Sequence, residues 1–200
     1  VPAAGVLAIQ ALQVMETFDP GSMTEAEWFA ITGQSLRMAQ RELALLGPDS
    51  AAVRATSKEY ARQVAADIAA PGQQPEQAWA PMPELEERGD LYGGHTTHLS
   101  TADANGMFVS LTQTLGPNMG SKVVTPGLGF LHASTLGGYL GTMTQPGMRA
   151  RSNICPFIVM KDGEVVLVLG GAGGGMIPPA VVHAITRVID FGMELPNALA

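Results

Sequence analysis

Cysteine is nearly absent. Cys155 is the only one among 200 residues, which excludes an internal disulfide framework; alone before Pro156, it reads as a small buried residue. Basic residues are scarce and scattered, eleven Lys and Arg against eighteen Asp and Glu, for a net charge of −7. Without a Lys/Arg cluster the chain offers no footprint for a phosphate backbone, which argues against nucleic acid as a partner. No apolar run reaches the roughly 20 residues of a membrane-spanning helix. The opening VPAAGVLAIQ also lacks the basic start of a signal peptide. There are four histidines: His95, His98, His132 and His183. His95 and His98, three apart, would face opposite sides of a strand, and no carboxylate stands beside any of the four at ligand spacing. That pattern argues against a zinc site. There is no Gly-x-Ser-x-Gly elbow. The run GGAGGGM departs from the dinucleotide fingerprint at Met176 and lacks the Lys-Ser/Thr of a phosphate loop.

What is present changes character in the middle. An apolar share of 46% can supply a core for one domain or part of one. Residues 1–70 read as helices. Ala3–Glu16 has a broad apolar face built from Val6, Leu7, Ile9, Leu12, Val14 and Met15. Thr24 with Glu27 forms a capping box opening a second helix, which Gly47-Pro48 closes. Thr56 with Glu59 repeats the signal for a third, which Pro71-Gly72 stops near Ala70. These three helices read as scaffold.

The tract PGQQPEQAWAPMPELEERGDLYGG, 71–94, has no apolar period and reads as an exposed linker. Beyond it the period becomes two. HTTHLSTAD and MFVSLTQTL flank Ala104-Asn105-Gly106, a three-residue hairpin loop with glycine at the left-handed position. A second hairpin joins CPFIVM to EVVLVLG through Lys161-Asp162-Gly163. GGAGGGMIPPAVVHAITRVIDFG is then a glycine loop running into a helix, with prolines near its first turn and Gly192 after its end. This order of helices, linker, hairpins and helix predicts α+β layers.

Two places in this layout admit chemistry. The glycine loop is either a tight strand-to-helix turn or a set of bare N–H groups able to hold an oxyanion. In the first hairpin, a 104–106 loop sets Asp103 against Met107, so paired positions sum to 210. That register puts Thr96 opposite Thr114, with Cβ atoms roughly 5 Å apart on one face. A Thr–Thr pair is an ordinary cross-strand contact. Directly after a linker, it also suits a threonine freed at its amino side, whose α-amine, titrating near neutrality, can take its own hydroxyl proton. Pattern alone leaves both readings open.

TTHLSTADANGMFVSLTQTL resembles the start of the small subunit in the γ-glutamyltransferase (γ-glutamyltranspeptidase) family, where a Thr-Thr-His-x-Ser segment follows a maturation cut. PAAGVLAIQALQVMETFD resembles a helix in the C-terminal part of that family's large subunit. CPFIVMKDGEVVLVLGGAGGGMI is similar to its Ser-Pro-Thr, hairpin and glycine segment, and RVIDFGM to the helix that follows. These matches run in the family's order over nearly the whole chain.

The resemblance implies an αββα layered N-terminal-nucleophile hydrolase, incomplete in this chain, made as a precursor that cuts itself. Residues 1–70 would be the helical C-terminal part of the large subunit, and 71–95 a linker ending at the cut between His95 and Thr96. Residues 96–200 would begin the small subunit. Thr96 would be the nucleophile, Thr114 the threonine that hydrogen-bonds it, and Gly173 and Gly174 the oxyanion donors. Ser152 matches the first of a substrate-holding serine pair, whose second is Asn153 here. No metal or organic cofactor is implied. The partners would be a small-molecule amide or peptide-like substrate and the remaining large-subunit segment of the same precursor. The resemblance also implies a periplasmic or extracellular setting, and an interior portion of a longer chain.

The departures bear on substrate. Gly116 stands where the family has an Asn, and Thr135 and Gly137 replace a Gln and an acidic residue. GFLHASTLGGYLG carries no carboxylate to meet a substrate ammonium. The expectation is therefore a γ-glutamyltransferase-like amide hydrolase or acyl transferase. Its alternatives are an acylase acting on a non-glutamyl amide and an unprocessed, noncatalytic fragment.

Overall fold

The computed structural model describes residues 3–45, 49–70, 96–135 and 152–199. The linker, Gly47-Pro48, His95 and Gly137 lie outside these. The chain forms two compact units, one from the described residues of 3–70 and 178–199, the other from those of 96–177.

The helical unit contains α1 (Ala3–Met15), α2 (Glu25–Leu45), α3 (Asp49–Ala55), α4 (Lys58–Ala69), most of α5 (Ile177–Ile189) and α6 (Leu195–Leu199). Helix α1 is apolar around most of its circumference and is correspondingly buried, with Ala8, Ala11 and Val14 fully covered. Val14 packs against Ala61, Val64 and Ala65 of α4, and Val6 against Ala52 and Ala55 of α3. The capping box expected at Thr24 forms reciprocally: Glu27 N donates to Thr24 Oγ1 at 3.3 Å and Thr24 N to Glu27 Oε2 at 2.8 Å. Across this unit Arg187 of α5 donates to Glu25 Oε1 at 2.8 Å and to the Ala198 carbonyl at 3.1 Å.

Two expectations here need correction. Among the described residues of 3–69 there are four α-helices, not three, because the short alanine-rich stretch 49–55 is helical too. The cap of α4 is Ser57, whose hydroxyl accepts from Tyr60 N, and not Thr56. Thr56 Oγ1 donates back to the Ala52 carbonyl at 3.0 Å. Its hydroxyl thus serves the end of α3, a common competing use of Thr near helix ends.

The other unit is built on two antiparallel hairpins. Strands β1 (Thr96–Ala102) and β2 (Phe108–Thr114) pair in the expected register, from Ala102 opposite Phe108 to Thr96 opposite Thr114. The loop that fixes this register is held by Asp103, whose Oδ1 accepts from Asn105 N and Met107 N, each at 2.9 Å. These amides, Met107 first, hold the Asp103 carboxyl below the ordinary carboxylate range. Gly106 takes the left-handed φ of 82°.

Strands β3 (Phe157–Lys161) and β4 (Glu164–Leu169) form the second hairpin. Its turn is shorter than expected: Lys161 pairs with Glu164, leaving Asp162-Gly163 alone in the turn. Both have positive φ, 53° and 87°, the arrangement that matches the twist of the flanking strands. A bulge between Val159 and Met160 shifts the pairing by one residue further along the ladder. Between the hairpins, residues 115–135 fold back on themselves through a Val124–Leu131 bridge.

Just before β3, Cys155 is 2% exposed and burial pushes its thiol up to about 11. Thiolate is the reactive form, so the native protein should resist iodoacetamide at pH 8 while urea-unfolded protein alkylates. A peptide-mass measurement checks this; rapid native alkylation would contradict the burial.

Candidate active site

The two hydroxyls singled out in the first hairpin meet. Thr96 Oγ1 lies 3.1 Å from Thr114 Oγ1, at the open end of the β1–β2 ladder. Both side chains are half-buried. Thr114 Oγ1 also accepts from Gly116 N at 3.0 Å, which ties the pair to the loop beyond β2. That loop is tight. Ser134 N donates to the Leu115 carbonyl at 2.8 Å, and Gly116 is buried with φ 84°. A Cβ at Gly116 would stand 2.6 Å from the Ser134 carbonyl oxygen and 3.3 Å from Thr135 Cγ2. Glycine at this position therefore has a packing reason: its bare Cα lets the Ser134 carbonyl and Thr135 approach closely.

The glycine loop follows β4. Gly173 caps a single 3₁₀ turn, Gly174–Met176, which continues directly into α5. Gly173 has φ 141° and Gly174 φ 57°, a succession that L side chains adopt poorly. Met176 N donates to the Gly173 carbonyl at 3.0 Å. At the start of the turn, the N–H groups of Gly173 and Gly174 have no partner within it. Gly174 is buried. Ser152 and Asn153 precede β3. Ser152 Oγ accepts from Ile154 N at 3.2 Å, a local turn bond, and Asn153 is exposed. Of the expected site residues, the structure thus joins Thr96 and Thr114 directly and gives Gly173, Gly174 and Ser152 defined local frames.

His98, weighed in the sequence only as a metal ligand, lies on the same strand face as Thr96 with three hydroxyl residues that the sequence pattern did not single out. His98, Ser100, Ser110 and Thr112 occupy the next paired positions of the ladder. His98 Nδ1 is 2.8 Å from Thr112 Oγ1 and Nε2 is 3.0 Å from Ser100 Oγ. The register sum that paired Thr96 with Thr114 also pairs 98 with 112 and 100 with 110, so this polar face was within reach of the same arithmetic. Among the described residues no group of three His, Cys, Asp or Glu could hold a metal ion. No described helix is long and apolar enough to cross a membrane.

The model of the family described as gamma-glutamyltranspeptidase matches residues 1–200. The chain belongs to the gamma-glutamyltranspeptidase family. Among relatives of this family, a glutathione hydrolase proenzyme from Pseudomonas aeruginosa is 33% identical over 162 residues, covering 74% of this chain and 28% of that protein. An acylase ACY 1 proenzyme from Pseudomonas sp. (strain V22) is 29% identical over 209 residues, covering 98% of this chain and 36% of that one. The chain therefore spans roughly a third of the length of the curated relatives it matches. A crystal structure of cephalosporin acylase from Bacillus halodurans superposes with a TM-score of 0.70 at 22% identity, over 96% of this chain and 35% of that chain. The mixed α/β fold is shared with that acylase.

Proposed function

We propose that this gamma-glutamyltranspeptidase-family chain is the catalytic portion of a self-cleaving amide hydrolase or acyl transferase with an αββα layered fold. The hydrogen bond between Thr96 and Thr114 at the ladder's open end carries the reading. The precursor is cut between His95 and Thr96, which leaves residues 1–70 and the 71–95 linker in the large subunit and makes Thr96 the first residue of the small one. The freed α-amine takes the Thr96 hydroxyl proton as Oγ1 attacks the amide carbonyl. Thr114, itself tied to Gly116 N, fixes the hydroxyl's direction. The Gly173 and Gly174 amides receive the oxyanion, and Ser152 and Asn153 hold the substrate beside it. The carbon–nitrogen bond then breaks, the α-ammonium returns its proton to the departing amine, and the acyl group remains on Thr96 as an ester. Water or an acceptor amine attacks that ester and restores the threonine.

The acyl donor of this site lacks a free α-amino group. Gly116 supplies no side chain, and Thr135, packed beside it, supplies no charge. Hydrogen bonds to charged groups contribute about 1.5–3 kcal/mol each, so a substrate ammonium without a carboxylate partner is poorly held. That the matched relatives include proteins named acylase is consistent with this reading. The test compares the full-length, matured enzyme on γ-glutamyl anilide and on its des-amino counterpart, glutaryl anilide. Glutaryl anilide is expected to have the higher kcat/KM. A clear advantage for the γ-glutamyl compound would overturn the assignment and place the missing charge elsewhere in the precursor.

A further inference from the structure

The face of the β1–β2 hairpin that carries Thr96 is polar at the first three paired positions from the open end, Thr96 with Thr114, His98 with Thr112 and Ser100 with Ser110, before it turns apolar at Ala102 with Phe108. It is not a solvated face throughout, since Thr112 is only 5% exposed. Buried hydroxyls need partners, and this face finds them in itself and in the end of β4. Ser110 Oγ donates to the Leu169 carbonyl at 3.1 Å. One residue on, a Cβ built at Gly170 would clash with Nδ1, Cε1 and Cγ of the His98 imidazole. Gly170 is not among the glycines with positive φ, so its backbone would accept other residues. Space alone requires glycine there, and His98 occupies that space.

We propose that His98 is a positioning residue whose ring sets the spacing between the strand bearing Thr96 and the loop bearing Gly173 and Gly174. The inference rests on the assignment of Thr96 as nucleophile and of those glycines as oxyanion donors. The ring is held by hydroxyls at both nitrogens, Thr112 and Ser100, and abuts the bare Cα of Gly170. It acts as a flat, stiff spacer between β1 and the exit of β4, three residues before Gly173. Its nitrogens are spent on those hydroxyls and Thr96 Oγ1 is bonded to Thr114, so it is not the base that activates Thr96. Its effect on the reaction is through alignment, where an error of about 1 Å can cost about a hundredfold in rate.

A double-mutant cycle in the full-length enzyme tests this, with kcat expressed per mole of cut chain. Gly170→Ala is expected to lower kcat about tenfold or more while KM stays within about twofold. In a His98→Ala background, which vacates the space, the same Gly170→Ala change should cost less than about twofold. His98→Asn, which keeps a polar atom in reach of Thr112, should recover part of the kcat lost in His98→Ala at unchanged KM. An equal cost of Gly170→Ala in both backgrounds would overturn the proposal. So would a loss in which kcat, KM and melting temperature fall together. If Gly170→Ala does not fold, the His98→Ala and His98→Asn comparison decides: no recovery by Asn overturns it. Thr96→Ala measured alongside separates the two readings. Turnover surviving Thr96→Ala removes the nucleophile assignment, whereas an inactive Thr96→Ala with no coupling between positions 98 and 170 removes only the role of His98.

Discussion

Replacing Thr96 with Ala in the full-length precursor is expected to leave one uncut chain with no measurable amide turnover. Two losses converge on one oxygen. In the proposed mechanism, Thr96 Oγ1 attacks the carbonyl of His95 before maturation and shifts the chain from amide to ester, which water then opens. After maturation the same oxygen would carry the acyl group. Alanine removes the hydroxyl that meets Thr114 at 3.1 Å and leaves nothing to attack in either step. The half-buried position at a strand end tolerates a methyl group, so the fold should persist. Denaturing gel mobility and turnover on a chromogenic anilide read both losses. A folded Thr96→Ala chain that retains turnover would end the nucleophile assignment.

Gly174→Val introduced into already matured enzyme is expected to depress turnover roughly a hundredfold or more. Removing one oxyanion donor typically costs about 2.7–4 kcal/mol in the transition state. If the Gly174 amide is such a donor, a side chain here would remove it by displacing the amide, because Gly174 is buried at φ 57°, where a β-branched residue is badly strained. That strain, of order 1–3 kcal/mol, falls on a one-turn loop and not on the packed helices. Circular dichroism should therefore remain close to that of the unsubstituted enzyme. Near-normal turnover in a folded variant would return the loop to a purely structural turn.

The part of this site legible in the sequence was the part fixed by local chemistry. Asp103, Asn105 and Gly106 specify the first hairpin's loop, and a fixed loop dictates every pair along the ladder, Thr96 with Thr114 included. Where two neighbouring residues could serve the same purpose, sequence was ambiguous. Thr56 and Ser57 both suit a helix cap, and only the preceding helix, with a carbonyl at Ala52 awaiting a donor, decides between them. At the second hairpin, Asp162-Gly163 formed the tighter turn, and a bulge opposite Val159/Met160 shifted the pairing by one further residue, which no local turn signal announces. The contact of His98 with Gly170 joins positions 72 residues apart (170 − 98). A glycine without positive φ announces nothing locally about what lies against it. The reason for Gly116, a bare Cα under the Ser134 carbonyl, is likewise a packing fact that its sequence neighbours do not announce.

In the proposed chemistry everything follows from Thr96 becoming an amino terminus. The intact mass and N-terminal sequence of the purified full-length protein test it most directly. Two chains are expected, the larger ending at His95 and the smaller beginning Thr96-Thr97-His98. A single uncut chain that is folded and hydrolyses amides, or a small chain beginning at any other residue, would contradict it.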